Sequence, residues 1–174
     1  MTPDQIRKFK WFWAWQDQQE EAWLEEMSHQ GLHLKSVGIP ALYYFERGAP
    51  QDYVYRLDFS SGHKDRANYM QLFEDAGWEH IGYIGFWEYF RKVRMPGELV
   101  EIYTDKESSM RKYVRVMLFL GIISLPLWLG LRNIPYSGLG GFYQFFRVFM
   151  GLLAIVYVYA FIRLLLRIQQ LKSS

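Results

Sequence analysis

The chain has 174 residues, enough for one ordinary domain and a further segment. It contains no cysteine, which excludes disulfides, iron–sulfur clusters, thiolate zinc sites and a cysteine nucleophile. Its net charge of +2 is unevenly spread: residues 1–105 carry 11 Lys and Arg against 17 Asp and Glu, and residues 106–174 carry nine against one. The acidic front disfavours nucleic acid as a partner. The basic part coincides with the apolar part, which points to a membrane.

The N-terminus, "MTPDQIRKFKW", has neither the apolar run nor the small-residue cleavage site of a secretory signal, so none is expected there. "KFKWFWAW", 8–15, alternates and predicts a strand with Phe9, Trp11, Trp13 and Trp15 on one face. A helix is expected over 17–30, opened by Asp17 and Glu20 as a capping box and stopped by Gly31. Its acids Glu20, Glu21, Glu25 and Glu26 read as a solvated polar face. "ALYYFER", 41–47, and "DYVYRLDF", 52–59, read as strands joined by the hairpin loop "RGAPQD". Ser60 and Ser61 are expected to cap a second helix over 63–76, and "FWEYFRK", 86–92, reads as the last strand, ended by Pro96 and Gly97.

The two helical segments align at an offset of 46: Trp23 with Tyr69, Leu24 with Met70, Met27 with Phe73, Gly31 with Gly77. The strands before them align at the same offset, Phe9 with Tyr55, Trp11 with Leu57 and Trp13 with Phe59. The expected fold is therefore α+β, a ferredoxin-like β-α-β-β-α-β sandwich over residues 7–93. Trp11, Trp13, Leu24, Met27, Tyr55, Leu57, Met70 and Phe73 are its expected core. The alternative for the rings is a pocket: Trp11, Trp13, Trp15 and Trp23 would line an aromatic cavity for a planar or cationic ligand. The other sheet face would carry Lys8, Lys10, Phe12, Arg56 and Asp58, open to a second copy or another protein.

Two apolar stretches follow. With basic residues at their ends they predict membrane spans over about 113–131 and 148–166, a transmembrane hairpin. The expected domains are 1–95, a juxtamembrane linker or helix over 96–112 that starts near Thr104 or Asp105, and the hairpin with a short basic tail over 113–174. Arg111, Lys112, Arg115, Arg163 and Arg167 would sit at the lipid interface. Lys and Arg near the outer ends of the spans outnumber those in the connecting loop, which places both termini in the cytoplasm.

Candidate chemistry is sparse. His29 and His33 are four apart, but Gly31 between them ends the helix, so they read as solvent-facing and not as a metal pair. Gly138, Gly140 and Gly141 read as loop and not as a phosphate cradle. No catalytic residue, metal site or cofactor is expected.

The segments "KFKWFWAW", "EEAWLEEMSHQGLHL", "YYFERGAPQDYVYRLDF", "FEDAGW" and "WEYFRK", with two apolar stretches behind them, resemble the bacterial domain of unknown function 2812 family. The resemblance covers about residues 7–110. It implies no assigned enzymatic activity. It also implies genes that often neighbour PadR-like repressors, hence an inducible protein of the bacterial cell membrane that answers envelope or antimicrobial stress. The function expected on all these grounds is a non-enzymatic, membrane-anchored interaction or sensing module. Its partners would be membrane lipids and a protein partner or a second copy. The alternative is a small-molecule binder that uses the aromatic cavity.

Overall fold

The computed structural model describes residues 5–60, 66–95, 97, 111–122, 124 and 140–173. The chain divides into two compact units, Met1–Thr104 and Asp105–Ser174. The first is mixed α+β, with two small antiparallel sheets. The first sheet holds β1 (Ile6–Phe9), β2 (Leu32–Gly38) and β3 (Leu42–Arg47), in the order β1-β3-β2. The second holds β4 (Tyr53–Phe59), β5 (Glu79–Ile84) and β6 (Trp87–Val93), in the order β4-β6-β5. Helix α1 (Asp17–His29) follows β1, and α2 (Arg66–Asp75) follows β4.

The repeat is thus two βαββ units, each with its own sheet, and not one four-stranded β-α-β-β-α-β sheet. The sequence reading lacked β2 and β5. Each leaves a helix through a left-handed glycine, Gly31 (φ 75°) or Gly77 (φ 79°), a conformation that other residues adopt at a cost. Both strands are short edges with a bulge, so their apolar alternation is brief.

The aromatic run is the second correction. β1 stops at Phe9, and residues 10–16 form a connection to α1. The cause is the partner strand. Phe9 pairs with Leu42, where β3 begins, and Lys10 N–H donates to the Ala41 carbonyl at 3.2 Å. Beyond that no backbone is available to continue the ladder. Trp11 and Trp13 are consequently exposed, at 54% and 45%, and leave the expected core list. The first strands are also offset differently from the helices. Phe9 pairs with the first residue of β3 as Phe59 pairs with the first residue of β6, so Phe9 corresponds to Phe59 and not to Tyr55.

One core forms between the halves: Leu24 and Met27 of α1, Leu34, Tyr43 and Phe45 of the first sheet, and Tyr55, Leu57 and Tyr89 of the second. Burying an aliphatic side chain of this size contributes about 2–3 kcal/mol. The opposite face of the second sheet packs Val54 and Phe90 against Phe73 of α2 and against Trp78, with Phe73 and Phe90 stacked at 4.1 Å. Met70 is partly buried beside them. The second sheet is covered on both faces, so Asp58, expected on an open face, is buried. β2 lies beside β5 without a ladder. Instead, Leu34 N–H donates to the Tyr55 hydroxyl, and Arg91 donates to the Leu34 carbonyl.

The second unit contains α3 (residues 111–122) and α4 (Gly140–Ser173). Gly140 and Gly141, expected in a loop, open α4. Residues 113–122 and 124 of the expected first span are helical, while the helix start near Thr104 and Gly138 lie outside the described residues. Among the described residues one helical stretch, Val148–Gln170, is long and apolar enough to cross a membrane. Of the basic set, Arg111 and Arg163 are exposed, Lys112 is buried with its Nζ 5.2 Å from the Tyr113 ring centre, and Arg115 and Arg167 are intermediate.

Candidate functional site

A cavity of about 360 Å³ opens in the first unit. Its walls come from three connections: Trp11, Phe12, Trp13 and Ala14 before α1; Ile39, Pro40 and Ala41 before β3; and Ile84, Gly85 and Trp87 around the β5–β6 turn. Its floor is polar. Asp17, Glu20, Tyr43 and Tyr89 line it, beside Leu57. The size is that of small-ligand pockets, which combine apolar walls with a few converging polar groups.

Glu20 is the centre of this floor. It is buried, and its Oε1 accepts a hydrogen bond from the Tyr43 hydroxyl and another from the Tyr89 hydroxyl, each 2.6 Å. One tyrosine comes from each sheet, so the carboxylate joins the two halves of the unit. Both donors converge on Oε1, and Oε2 takes neither of them. Burial pushes the Glu20 carboxyl above the usual range; the two tyrosine hydrogen bonds oppose this shift, and the nearby Asp17 adds to it. Burial and the Glu20 charge raise the Tyr43 and Tyr89 hydroxyls in turn, which keeps both as donors. The cavity lining holds two carboxyl groups and no cationic side chain.

The expected capping box does not form. The helix is preceded by Gln16, whose side chain makes no cap hydrogen bond, and Asp17 and Glu20 turn inward. Gln16 instead accepts from Trp13 N–H at 3.0 Å, which fixes the aromatic connection. Nor is the acidic face of α1 solvated throughout. Glu21 is buried and accepts the Leu57 N–H at 2.8 Å, closing the free edge of β4, while Glu25 pairs with Arg56 and Arg94. These acids find their partners in a strand edge and two arginines that lie over the helix, which periodicity alone does not reveal.

Of the four tryptophans expected at a cavity, Trp11 and Trp13 line it. Trp15 stacks on Trp13, 5.3 Å between centres and 2° between planes. Trp23 packs against Phe12, Tyr43 and Phe45 with Lys10 Nζ above its ring at 4.7 Å. Phe12, expected on an outer sheet face, packs inward and lines the cavity.

A second polar cluster was not visible in the sequence. Glu88, buried in β6, accepts from Arg66 at 2.5 Å, bonds His80 Nε2 at 2.8 Å, and accepts from Ser60 at 3.1 Å. Asp58, opposite it across the ladder, accepts from the Tyr69 hydroxyl. Ser60 thus serves Glu88; Ser61 and His63 lie outside the described residues. His33 corrects the solvent-facing reading. It is buried, bonded by Ser28 Oγ at Nδ1 and by its Nε2 to the Ala49 carbonyl. His29 is half exposed and bonds Asp52 at 3.0 Å. Among the described residues no group of three or more His, Asp or Glu is arranged to hold a metal ion.

A profile of the family described as "Protein of unknown function (DUF2812)" matches residues 16–125. That is well over half of the chain. The chain belongs to the DUF2812 family. The match spans α1, both sheets apart from β1, and α3, so the Glu20 floor lies within it while Trp11 and Trp13 precede it. No curated protein and no solved structure matches this DUF2812 chain.

Proposed function

We propose that this DUF2812 protein is a non-enzymatic, membrane-held sensing module whose first unit binds a hydrophobic organic cation. The observation that carries this is the lining itself: aromatic walls, two carboxyl groups and no cationic side chain around about 360 Å³. An ammonium group on an apolar body gains from ring faces and from a carboxylate held out of water. A neutral ligand gains only the walls. An anion would meet Glu20 and Asp17 and be repelled. Because burial raises the Glu20 carboxyl, a proton and a cation compete for the same oxygen pair.

We further propose that two spans hold the unit in the bacterial cell membrane with both termini in the cytoplasm. Seven basic residues flank the spans (Lys106, Arg111, Lys112, Arg115, Arg163, Arg167 and Lys172), against Arg132 and Arg147 between them. The hydrogen bond from the Tyr157 hydroxyl to the Leu120 carbonyl, which joins α3 to α4, supports a packed hairpin. Occupancy of the cavity would be passed to a protein partner or a second copy.

The test is titration of the full chain in mild detergent, followed by tryptophan fluorescence. Benzyltrimethylammonium is compared with its uncharged carbon isostere, neopentylbenzene. We expect saturable quenching, at least about tenfold tighter for the cation, since 1.4 kcal/mol suffices for a factor of ten. Glu20→Gln keeps an acceptor for both tyrosines and should abolish the preference. Equal affinities, or no saturable change, would sink the reading.

A further inference from the structure

We infer that the mouth of this cavity is a lipid-docking surface that seats on an anionic bilayer interface. The inference goes beyond ligand binding and rests on what surrounds the opening.

Three connections form the mouth: residues 11–14, 39–41 and the turn at 84–87. None contains an acidic residue, and Lys10 stands just before the first with its Nζ 5.1 Å from the Phe12 ring centre; Arg7 and Lys8 precede it on β1, where consecutive side chains take opposite faces. This is unusual in its setting, because residues 1–104 as a whole carry 11 basic residues against 16 acidic ones. A unit with so many acids has none in these three connections.

That same face presents large apolar side chains to solvent. Ile39 is 77% exposed, Trp11 54%, Trp13 45% and Phe86 42%. They belong to separate connections and meet only in the tertiary structure. The tryptophans form a fixed ridge: Trp11 meets Trp13 edge-on at 5.7 Å, and Trp13 stacks on Trp15 at 5.3 Å. Core packing does not explain rings so exposed. Tryptophan beside lysine and arginine is the composition of a headgroup-level anchor: the rings enter the boundary layer and the cations meet anionic lipid. The chain has a helical stretch able to cross a membrane, so a bilayer is the surface within its reach.

A second copy of the chain is the competing occupant. It would bring its own Lys10 to the contact, and like charges facing each other disfavour it. A bilayer supplies the opposite charge. Docking would also turn the cavity toward the phase in which hydrophobic cations concentrate.

The absence of cysteine makes the test direct. Single cysteines replace Ile39 or Phe86 at the mouth, with every tryptophan kept, and Leu72 on α2, which is 69% exposed, as a control. Each full-length variant carries a nitroxide label and is reconstituted into vesicles of phosphatidylglycerol with phosphatidylcholine, or of phosphatidylcholine alone. Collision with oxygen, which concentrates in lipid, is compared with collision with a water-soluble nickel complex. In anionic vesicles we expect the labels at 39 and 86 to favour oxygen and the label at 72 to favour nickel. Combining Arg7→Glu, Lys8→Glu and Lys10→Glu should return 39 and 86 toward the behaviour of 72. If 39 and 86 stay as open to nickel as 72, the inference fails. It fails equally if both are shielded from oxygen and nickel alike, the result of a protein covering the face. Ligand titration in detergent needs no bilayer, so the two proposals fall separately.

Discussion

The two βαββ halves of the first unit share one contact and use it in opposite ways. Glu20 of α1 and Arg66 of α2 stand 46 residues apart, the same offset as Gly31 and Gly77. Each reaches the second residue of its third strand, Tyr43 in β3 and Glu88 in β6. In the second half the pair is a base and an acid, and His80 and Ser60 join the same carboxylate. Its charge is answered within the protein. In the first half the pair is an acid and a phenol, with a second phenol from across the sheets. Its hydrogen bonds are made, yet its negative charge is not matched by any cation in the cavity lining. The lesson is that a repeated frame can hold a closed ion pair at one copy and a carboxyl bonded only by phenol hydroxyls at the other.

The largest expected contrast between the halves lies in the helices. Leu24 is fully buried between both sheets, whereas its counterpart Met70 is partly buried beside the smaller cluster. Leu24→Ala should destabilise the unit by about 3–5 kcal/mol, from lost burial and the cavity left behind, and Met70→Ala by roughly 1–2 kcal/mol. Chemical denaturation of the two variants measures this. Equal losses would mean that the halves carry equal weight, against the shared core described above.

A smaller contrast is expected at the glycines that end the helices. Both have left-handed backbone, which costs a side-chain-bearing residue about 1–2 kcal/mol. A Cβ at Gly31 would also stand 2.5 Å from the Gly48 carbonyl oxygen, which is backbone and cannot move aside cheaply. At Gly77 it would meet the end of the flexible Lys92 side chain at 3.3 Å. Gly31→Ala should therefore lower stability clearly more than Gly77→Ala in the same denaturation experiment. The reverse order would contradict the packing of residue 48 on the first helix.

The smallest effect should have the opposite sign. The Glu20 carboxyl is raised in the folded state, chiefly by burial. A raised acid holds its proton more tightly when folded than when unfolded. Its stabilising share is then complete below the ordinary carboxyl range and is lost as pH rises through the folded value. Glu20→Gln removes this loss. The variant should match the wild type in acid and be slightly more stable near neutral pH, read as thermal midpoints across a pH series. A wild-type profile that falls no faster than that of the variant above the carboxyl range would remove Glu20 as the titrating group.

Much of this was legible in the residues. Leu24, Met27, Tyr55, Leu57 and Phe73 are buried as their periodicity predicts, because an amphipathic stripe has one face to hide wherever its partner lies. The glycine pair marked both helix ends, since left-handed backbone has few other occupants. β2 and β5 were less legible: edge strands are half solvated, so their alternation is short and is broken by a bulge.

The candidate site was legible only in its parts. Trp11 and Trp13 line a cavity, the place that the alternative to the core reading gave all four tryptophans, but the acids of its floor read as solvated helix face. Sequence by itself determined what each segment could become: a strand-and-helix repeat at an offset of 46, an apolar C-terminal part and a chain without thiol chemistry. Only the tertiary structure decided where each possibility stopped. Alternation permits a strand from 8 to 15, but a strand lasts only as long as its neighbour supplies hydrogen bonds, and β3 begins at Leu42. Helical spacing places Glu20 and Glu21 opposite solvent or protein without choosing between them. The choice came from two tyrosines and a strand edge contributed by segments 23 to 69 residues away in sequence, whose arrival no local pattern encodes.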